Sequence, residues 1–237
     1  MFIEPKDAST LVVMRANSQN ASHDLEVLML LRSAESSFVP LSYVFPGGGM
    51  DDDDRDADLM GRCAGFDRDE TASVADKIGD DLRARALWIT SIRESFEETG
   101  LLYAYSGRGK LYSQDDDREK LAYYRNAINS GRFSFIKMVM DEKMVLATDR
   151  LRFFSHWVTP FFSSIRYSAY FFATIAPDCQ EVEHDGEEII DHTWITPNNA
   201  LKKNRQGSFR MVFPTISTLE KMKGFALPED ALDNLYY

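Results

Sequence analysis

Short runs of apolar residues broken by polar turns mark the first part of the chain as strand material. Residues 9–15 and 25–32 read as strands, parted by polar turn residues 16–24. The second run, Leu25-Glu-Val-Leu-Met-Leu-Leu-Arg32, is nearly continuous in aliphatics, the pattern of a strand covered on both faces. Tyr43-Val-Phe45 leads into Pro46-Gly47-Gly48-Gly49, which is expected to end regular structure. Residues 51–81 are dense in aspartate and poor in large apolar side chains, and read as an inserted loop without a core of its own. From about residue 82 to 99 the period becomes helical: Leu82, Ala86, Ile89, Ile92 and Phe96 fall on one side, and Gly100 supplies the stop.

Beyond Gly100 the pattern predicts a short strand at 101–105, helices at 115–130 and 133–141, and strands at 167–175 and 189–195. Residues 153–165, apolar apart from His156 and Pro160, read as buried core, and an amphipathic helix follows Pro214 through Leu219 and Met222. Strands interleaved with helices predict an α+β fold, an α/β/α sandwich built on a mixed sheet. The 237 residues fit one domain spanning 1–237, with the insertion at about 51–81 and a C-terminal helical extension at about 213–237.

Composition sharpens what kind of partner such a domain takes. With 27 Lys+Arg against 38 Asp+Glu, the net charge of −11 argues against duplex nucleic acid or an anionic membrane surface. No uncharged apolar stretch reaches the roughly 18 residues of a spanning helix, and the apolar run 11–14 is too short for a signal peptide. Cys63 and Cys179 make no CxxC pair, and His23, His156, His184 and His192 show no zinc-site spacing. The chain is therefore expected in a reducing cytoplasm; its end, Asn234-Leu-Tyr-Tyr237, is no peroxisomal address. His156 reads as a semi-buried structural histidine, and Trp157 and Trp194 as core anchors. The surplus carboxylates are either solvated surface or, in part, ligands for a divalent cation.

The segment that carries chemistry is Arg93-Glu94-Ser95-Phe96-Glu97-Glu98-Thr99-Gly100-Leu101. On a helix, Glu97 lies roughly 60° to one side of Glu94 and Glu98 roughly 40° to the other, while Ile89, Ile92 and Phe96 point the opposite way. Three like charges close together near a helix C-terminus repel one another and oppose the macrodipole. A hard divalent cation would relieve that repulsion; an ordinary solvated acidic face is the alternative reading.

This stretch resembles the R-E-U-x-E-E-x-G-U core of the Nudix hydrolase box, with Ser95 where an aliphatic is usual. Phe45-Pro46-Gly47-Gly48 resembles the Gly-rich entrance of the same box. Arg93 stands 45 positions beyond Gly48, so a long insertion parts the two halves. The box glutamate expected six residues after Gly48 is Asp54, or is lost in the insertion. A long insertion here resembles the coenzyme A diphosphatase-like branch. So do Leu28-Met-Leu-Leu-Arg32, His156-Trp-Val-Thr-Pro160, Arg166-Tyr-Ser-Ala-Tyr-Phe-Phe172, and Glu188 ahead of Trp194-Ile-Thr-Pro197.

The resemblance implies hydrolysis of a diphosphate in a small nucleoside diphosphate derivative, preferably CoA or acyl-CoA, with Mg²⁺ or Mn²⁺ as cofactor and a homodimer as a possible assembly. It makes Glu97 and Glu98 the principal metal ligands, Glu94 a further ligand or the general base, and Arg93 the residue that orients them. Gly47 and Gly48 would allow close backbone approach, and Glu188 would be an extra ligand or base. Arg32 and Arg166 are the candidates for gripping phosphate. The run 51–54 is read as solvated. ADP-ribose, nucleotide sugars or dinucleotides are the rival substrates, and a catalytically silent nucleotide-sensing domain is the rival role.

Overall fold

A computed structural model describes residues 3–17, 24–66, 69–106 and 109–235; the side chains of 69–70 and 114–117 also lie outside the description. His23, Tyr236, Tyr237 and the side chains of Asp115 to Asp117 therefore fall beyond it. The strands are β1 (Lys6–Ala16), β2 (Leu25–Arg32), β3 (Tyr43–Val44), β4 (Gly47–Gly49), β5 (Ala104–Tyr105), β6 (Val145–Leu146), β7 (Arg152–Val158), β8 (Tyr167–Ile175) and β9 (Ile189–Ile195). The helices are α1 (Ala57–Met60), α2 (Asp69–Ile78), α3 (Asp81–Thr99), α4 (Gln114–Asn129), α5 (Phe135–Asp141), α6 (Pro197–Arg205), α7 (Phe213–Met222) and α8 (Pro228–Asn234).

β1 organises the main sheet. Along Lys6 to Met14 it pairs in parallel with β8, which in turn pairs antiparallel with β7. On its other side β1 meets β2 only at Met14 to Ala16, and further back it meets β4 at Ala8 to Thr10. β2 and β1 thus splay apart, and the β3–β4 segment wedges between them, with Leu30 opposite Val44. β9 covers the outer edge of β2.

Alternation along these strands makes two cores, one on each face. Leu11, Val13, Leu28 and Leu30 point to one side and pack against Ile89, Ile92 and Phe96 of α3. Val12, Met14, Val27 and Met29 point to the other and pack against Leu201, Leu219, Met222 and Ala231 of α6, α7 and α8. This is the expected mixed sheet between helices.

Several local expectations need correction. Gly47 to Gly49 do not end regular structure; they form a strand on β1. The glycines make the pairing possible, because Gly47 has φ +150° and a Cβ there would sit 2.2 Å from the Ser9 carbonyl oxygen. The insertion is not a loop, since it holds α1 and α2, and it feeds fully buried Leu59 and Val74 into the core under α3. The apolar run 153–165 is only partly core: β7 ends at Val158, and Phe161 and Phe162 beyond it are 72% and 78% exposed. α5 begins at Phe135, not 133, because the Ser134 side chain caps it. The strand expected at 101–105 shortens to Ala104–Tyr105. Among the described residues no helix is long and apolar enough to cross a membrane.

Candidate active site

Asp80 caps the start of α3, and Gly100, in the left-handed region at φ +75°, ends it. Between these stops the apolar stripe fixes how the helix sits on the sheet. Glu94, Glu97 and Glu98 are thereby turned towards the β3–β4 wedge and the segment before β9.

Arg93 anchors this face and is itself buried. Its Nε and Nη2 donate to the two oxygens of Asp54 at 2.9 and 3.0 Å. Nη2 also donates to the Gly49 carbonyl at 2.7 Å, and Nη1 reaches Glu94 at 2.9 Å and Glu97 at 3.1 Å. All five guanidinium N–H groups thus have an acceptor. Asp54 is only 1% exposed and also accepts from the Thr90 hydroxyl and the Asp51 amide. The aspartate run is therefore not uniformly solvated: Asp51, Asp52 and Asp53 face water, while a 3₁₀ turn folds Asp54 inward onto Arg93. Asp54, six residues after Gly48, fills the place in which a box glutamate is expected.

The glutamates are held in distinct ways. Glu98 is buried, and its Oε2 accepts from the Gly47 amide at 2.8 Å. Glu94 lies against Gly48, where a Cβ would come within 2.5 Å of Oε1. Burial, reinforced by the Glu97 charge and opposed by Arg93, pushes the Glu94 carboxyl up to about 8. Burial, and then the charge of Glu94, holds Glu98 well above the usual carboxylate range. Glu97 is raised too, by burial against the pull of Arg93.

Glu188 comes to the same place from the segment before β9. The Asp185 side chain accepts from the amides of Glu187 and Glu188, which shapes that turn. Arg32, at the end of β2, donates to Glu188 at 2.7 Å and to the Phe38 carbonyl at 3.1 Å. Arg32 thus stands at the site. Arg166 does not: its guanidinium is engaged by the carbonyls of Thr159 and Ile3, at 3.1 and 2.5 Å, where it ties the β7–β8 connection to the N-terminal segment. Those contacts tie two segments together, and the Thr159 and Tyr167 residues beside it line the cleft next to Gly48.

This geometry brings both halves of the sequence pattern to one face, and a family model, the NUDT19 Nudix domain, matches residues 60–222. The chain belongs to the Nudix family.

Its relatives include the acyl-coenzyme A diphosphatase NUDT19 of Xenopus laevis, 28% identical, with 95% of this chain and 65% of that protein covered. The human protein of the same description is 24% identical, with 86% and 62% covered. The chain therefore spans somewhat less than two thirds of the length of these curated relatives. Among solved structures, a Nudix hydrolase from Alicyclobacillus acidocaldarius superposes with a TM-score of 0.76 at 24% identity, covering 100% of this chain and 99% of that one. That likeness establishes the Nudix fold.

Nudix chemistry implies a divalent cation. Among the described residues no three His, Cys, Asp or Glu side chains converge on one point. Arg93 draws Glu94 and Glu97 towards itself instead. The donor set nonetheless fits a hard cation: three carboxylates on one helix face, two of them with proton affinity strongly raised by burial.

Three features escaped the sequence reading. Arg125 and Asn129 of α4 both donate to the Glu97 carbonyl at 3.0 Å, clamping the end of α3 with a cation where the macrodipole favours one. No local pattern marks them. His184 and His192 are paired Nδ1 to Nδ1 at 3.1 Å, although they stand eight positions apart. Trp157 packs on the edge of the second core, as expected, and also forms part of the wall of a cleft beside Gly48. His156 is satisfied by Ser168 at 2.8 Å and stacks on Tyr170, away from the glutamates.

Proposed function

We propose that the protein hydrolyses the diphosphate of CoA or acyl-CoA, giving 3′,5′-ADP and phosphopantetheine or its acylated form. The observation that carries the reading is the meeting of Glu94, Glu97, Glu98 and Glu188 at one mouth, with Glu94 and Glu98 enclosed and raised in proton affinity by burial. The naming of the relatives as acyl-coenzyme A diphosphatases supports the substrate class.

Glu97 and Glu98 would hold Mg²⁺ or Mn²⁺, with Glu94 as the third oxygen donor. Such a cation neutralises the diphosphate and lowers the pKa of bound water. Glu188, its side chain 56% exposed and steadied by Arg32, accepts the proton when water adds to phosphorus and the bridging P–O bond breaks. Arg32 offers the phosphate a planar fork at the same mouth. Arg93 does not touch substrate; it sets the positions of Glu94 and Glu97. The free thiols Cys63 and Cys179 suit a reducing cytoplasm, and a homodimer completes the proposal.

Incubation of CoA with the protein and Mg²⁺, followed by chromatography, tests this reading. Release of 3′,5′-ADP together with phosphopantetheine is expected. Recovery of intact CoA in the presence of either cation contradicts it.

A further inference from the structure

Two clefts of opposite character meet at the carboxylates. One, about 460 Å³, is polar and is bounded by Arg118, Asn126 and Asn129 of α4. The other, about 650 Å³, is lined mainly by apolar groups, among them Phe38, Val44, Trp157, Tyr167 and Phe213. Glu94 and Glu188 line both. Each volume lies in the range of roughly 300–1,000 Å³ that encloses a small ligand.

From this arrangement we propose that the apolar cleft is the binding site for an aliphatic acyl–pantetheine arm, and that its walls set acyl chain-length preference. The inference rests on the diphosphatase reading and deepens it. A diphosphate at Glu94 places one substituent in each cleft. A dinucleotide or nucleotide sugar carries polar groups at both ends, and would leave the hydroxyls of one end unpaired against Trp157 and Phe213. An acyl thioester arm has the matching asymmetry: its aliphatic chain meets the apolar wall, the amides and hydroxyl of pantetheine can pair with Ser37, Thr159 and Thr215 of the same cleft, and the phosphorylated nucleoside lies on the other side of the diphosphate.

The wall of the cleft is a built structure. Val39 of this wall holds φ of +45°, a region that costs a β-branched residue energy and persists only when the surroundings enforce it. The surroundings here are visible: Arg32 holds the Phe38 carbonyl, and the Phe38 ring meets Tyr167 edge-on at 5.2 Å. Trp157 meets Phe213 edge-on at 5.5 Å across the opposite lip. Arg32 joins the two functions, because the guanidinium that steadies this wall also pairs with Glu188.

The test uses pantetheine and S-acyl-pantetheines of two to ten carbons, which carry the arm without the diphosphate and so need neither cation nor turnover. Calorimetric affinity for the full chain should rise with acyl length, by up to about fourfold per buried methylene, until the cleft is filled. Phe213→Asp and Val158→Asp, both at exposed lip positions that leave folding intact by circular dichroism, should flatten that rise at least tenfold. Equal affinity for every chain length, or a rise untouched by both substitutions, overturns the proposal. Hydrolysis of CoA is measured in parallel with Mg²⁺. Its absence alongside a chain-length effect would remove the diphosphatase reading but keep the cleft; hydrolysis without such an effect would do the reverse.

Discussion

Asp54 and Arg93, 39 positions apart, form a two-pronged buried ion pair at 2.9 and 3.0 Å. Asp54→Asn removes the charge that neutralises a guanidinium only 5% exposed. A loss of about 1.5–3 kcal/mol in urea unfolding is expected, the usual worth of charge-assisted hydrogen bonds, with Glu94 and Glu97 left to balance Arg93. A loss below about 0.5 kcal/mol, typical of a solvated surface site, would contradict the pairing.

Glu98→Gln should separate stability from activity. Without cation, burial keeps Glu98 protonated where the unfolded chain would release its proton, which lowers stability near neutral pH; the substitution removes that cost, so the thermal midpoint should rise. Turnover should drop at least about a hundredfold, since even groups that only support a metal ligand cost 10–100-fold. Near-normal turnover would refute the metal role of Glu98.

The two glycines of the wedge should fail differently. Gly47→Ala drives a Cβ to 2.2 Å from backbone oxygen in a left-handed conformation, and should cost at least about 1–3 kcal/mol. Gly48→Ala meets the Glu94 carboxylate, a movable side-chain end, so activity should suffer more than stability. Denaturation and kcat measured on both proteins check the contrast.

The raised Glu94 pKa sets a direction for pH. The folded protein holds a proton that the unfolded chain has released, so Glu94 lowers metal-free stability as pH rises from about 4.5 towards about 8. Cation binding needs the ionised form, and the thermal stabilisation given by Mg²⁺ should grow over the same interval. A Mg²⁺ effect that is flat from pH 5 to 9 would contradict the assignment.

Arg32 and Arg166 should part company in kinetics. Arg166→Ala, which removes a guanidinium taken up by the Thr159 and Ile3 carbonyls, should leave KM and kcat within about twofold, a change below ~0.5 kcal/mol. Arg32→Ala should lower kcat/KM strongly, because it frees both Glu188 and the Phe38 wall.

The parts legible in the sequence are those written in local periodicity. The core stripe of α3 from Ala86 to Phe96, its glutamate face and its Gly100 stop follow from spacing alone, though Leu82, read as part of the stripe, is 55% exposed in the first turn. β8 and β9 fall where their apolar runs lie. What was hidden depends on partners distant in the chain. Asp54 is chemically like its exposed neighbours 51–53, and only Arg93 distinguishes it. Gly47 to Gly49 carry a turn composition, yet the open edge of β1 makes them a strand. α6 opens on Pro197, where proline is compatible with a first helical turn although it also reads as a breaker.

The most direct measurement of the central claim is kcat/KM across CoA, octanoyl-CoA, ADP-ribose, NADH and nucleoside triphosphates, each with and without Mg²⁺ or Mn²⁺. The expected result is cation-dependent release of 3′,5′-ADP, with octanoyl-CoA and CoA above every other substrate. Failure to cleave the phosphate linkage of any of them would contradict the assignment of Glu94, Glu97, Glu98 and Glu188 to a hydrolytic site.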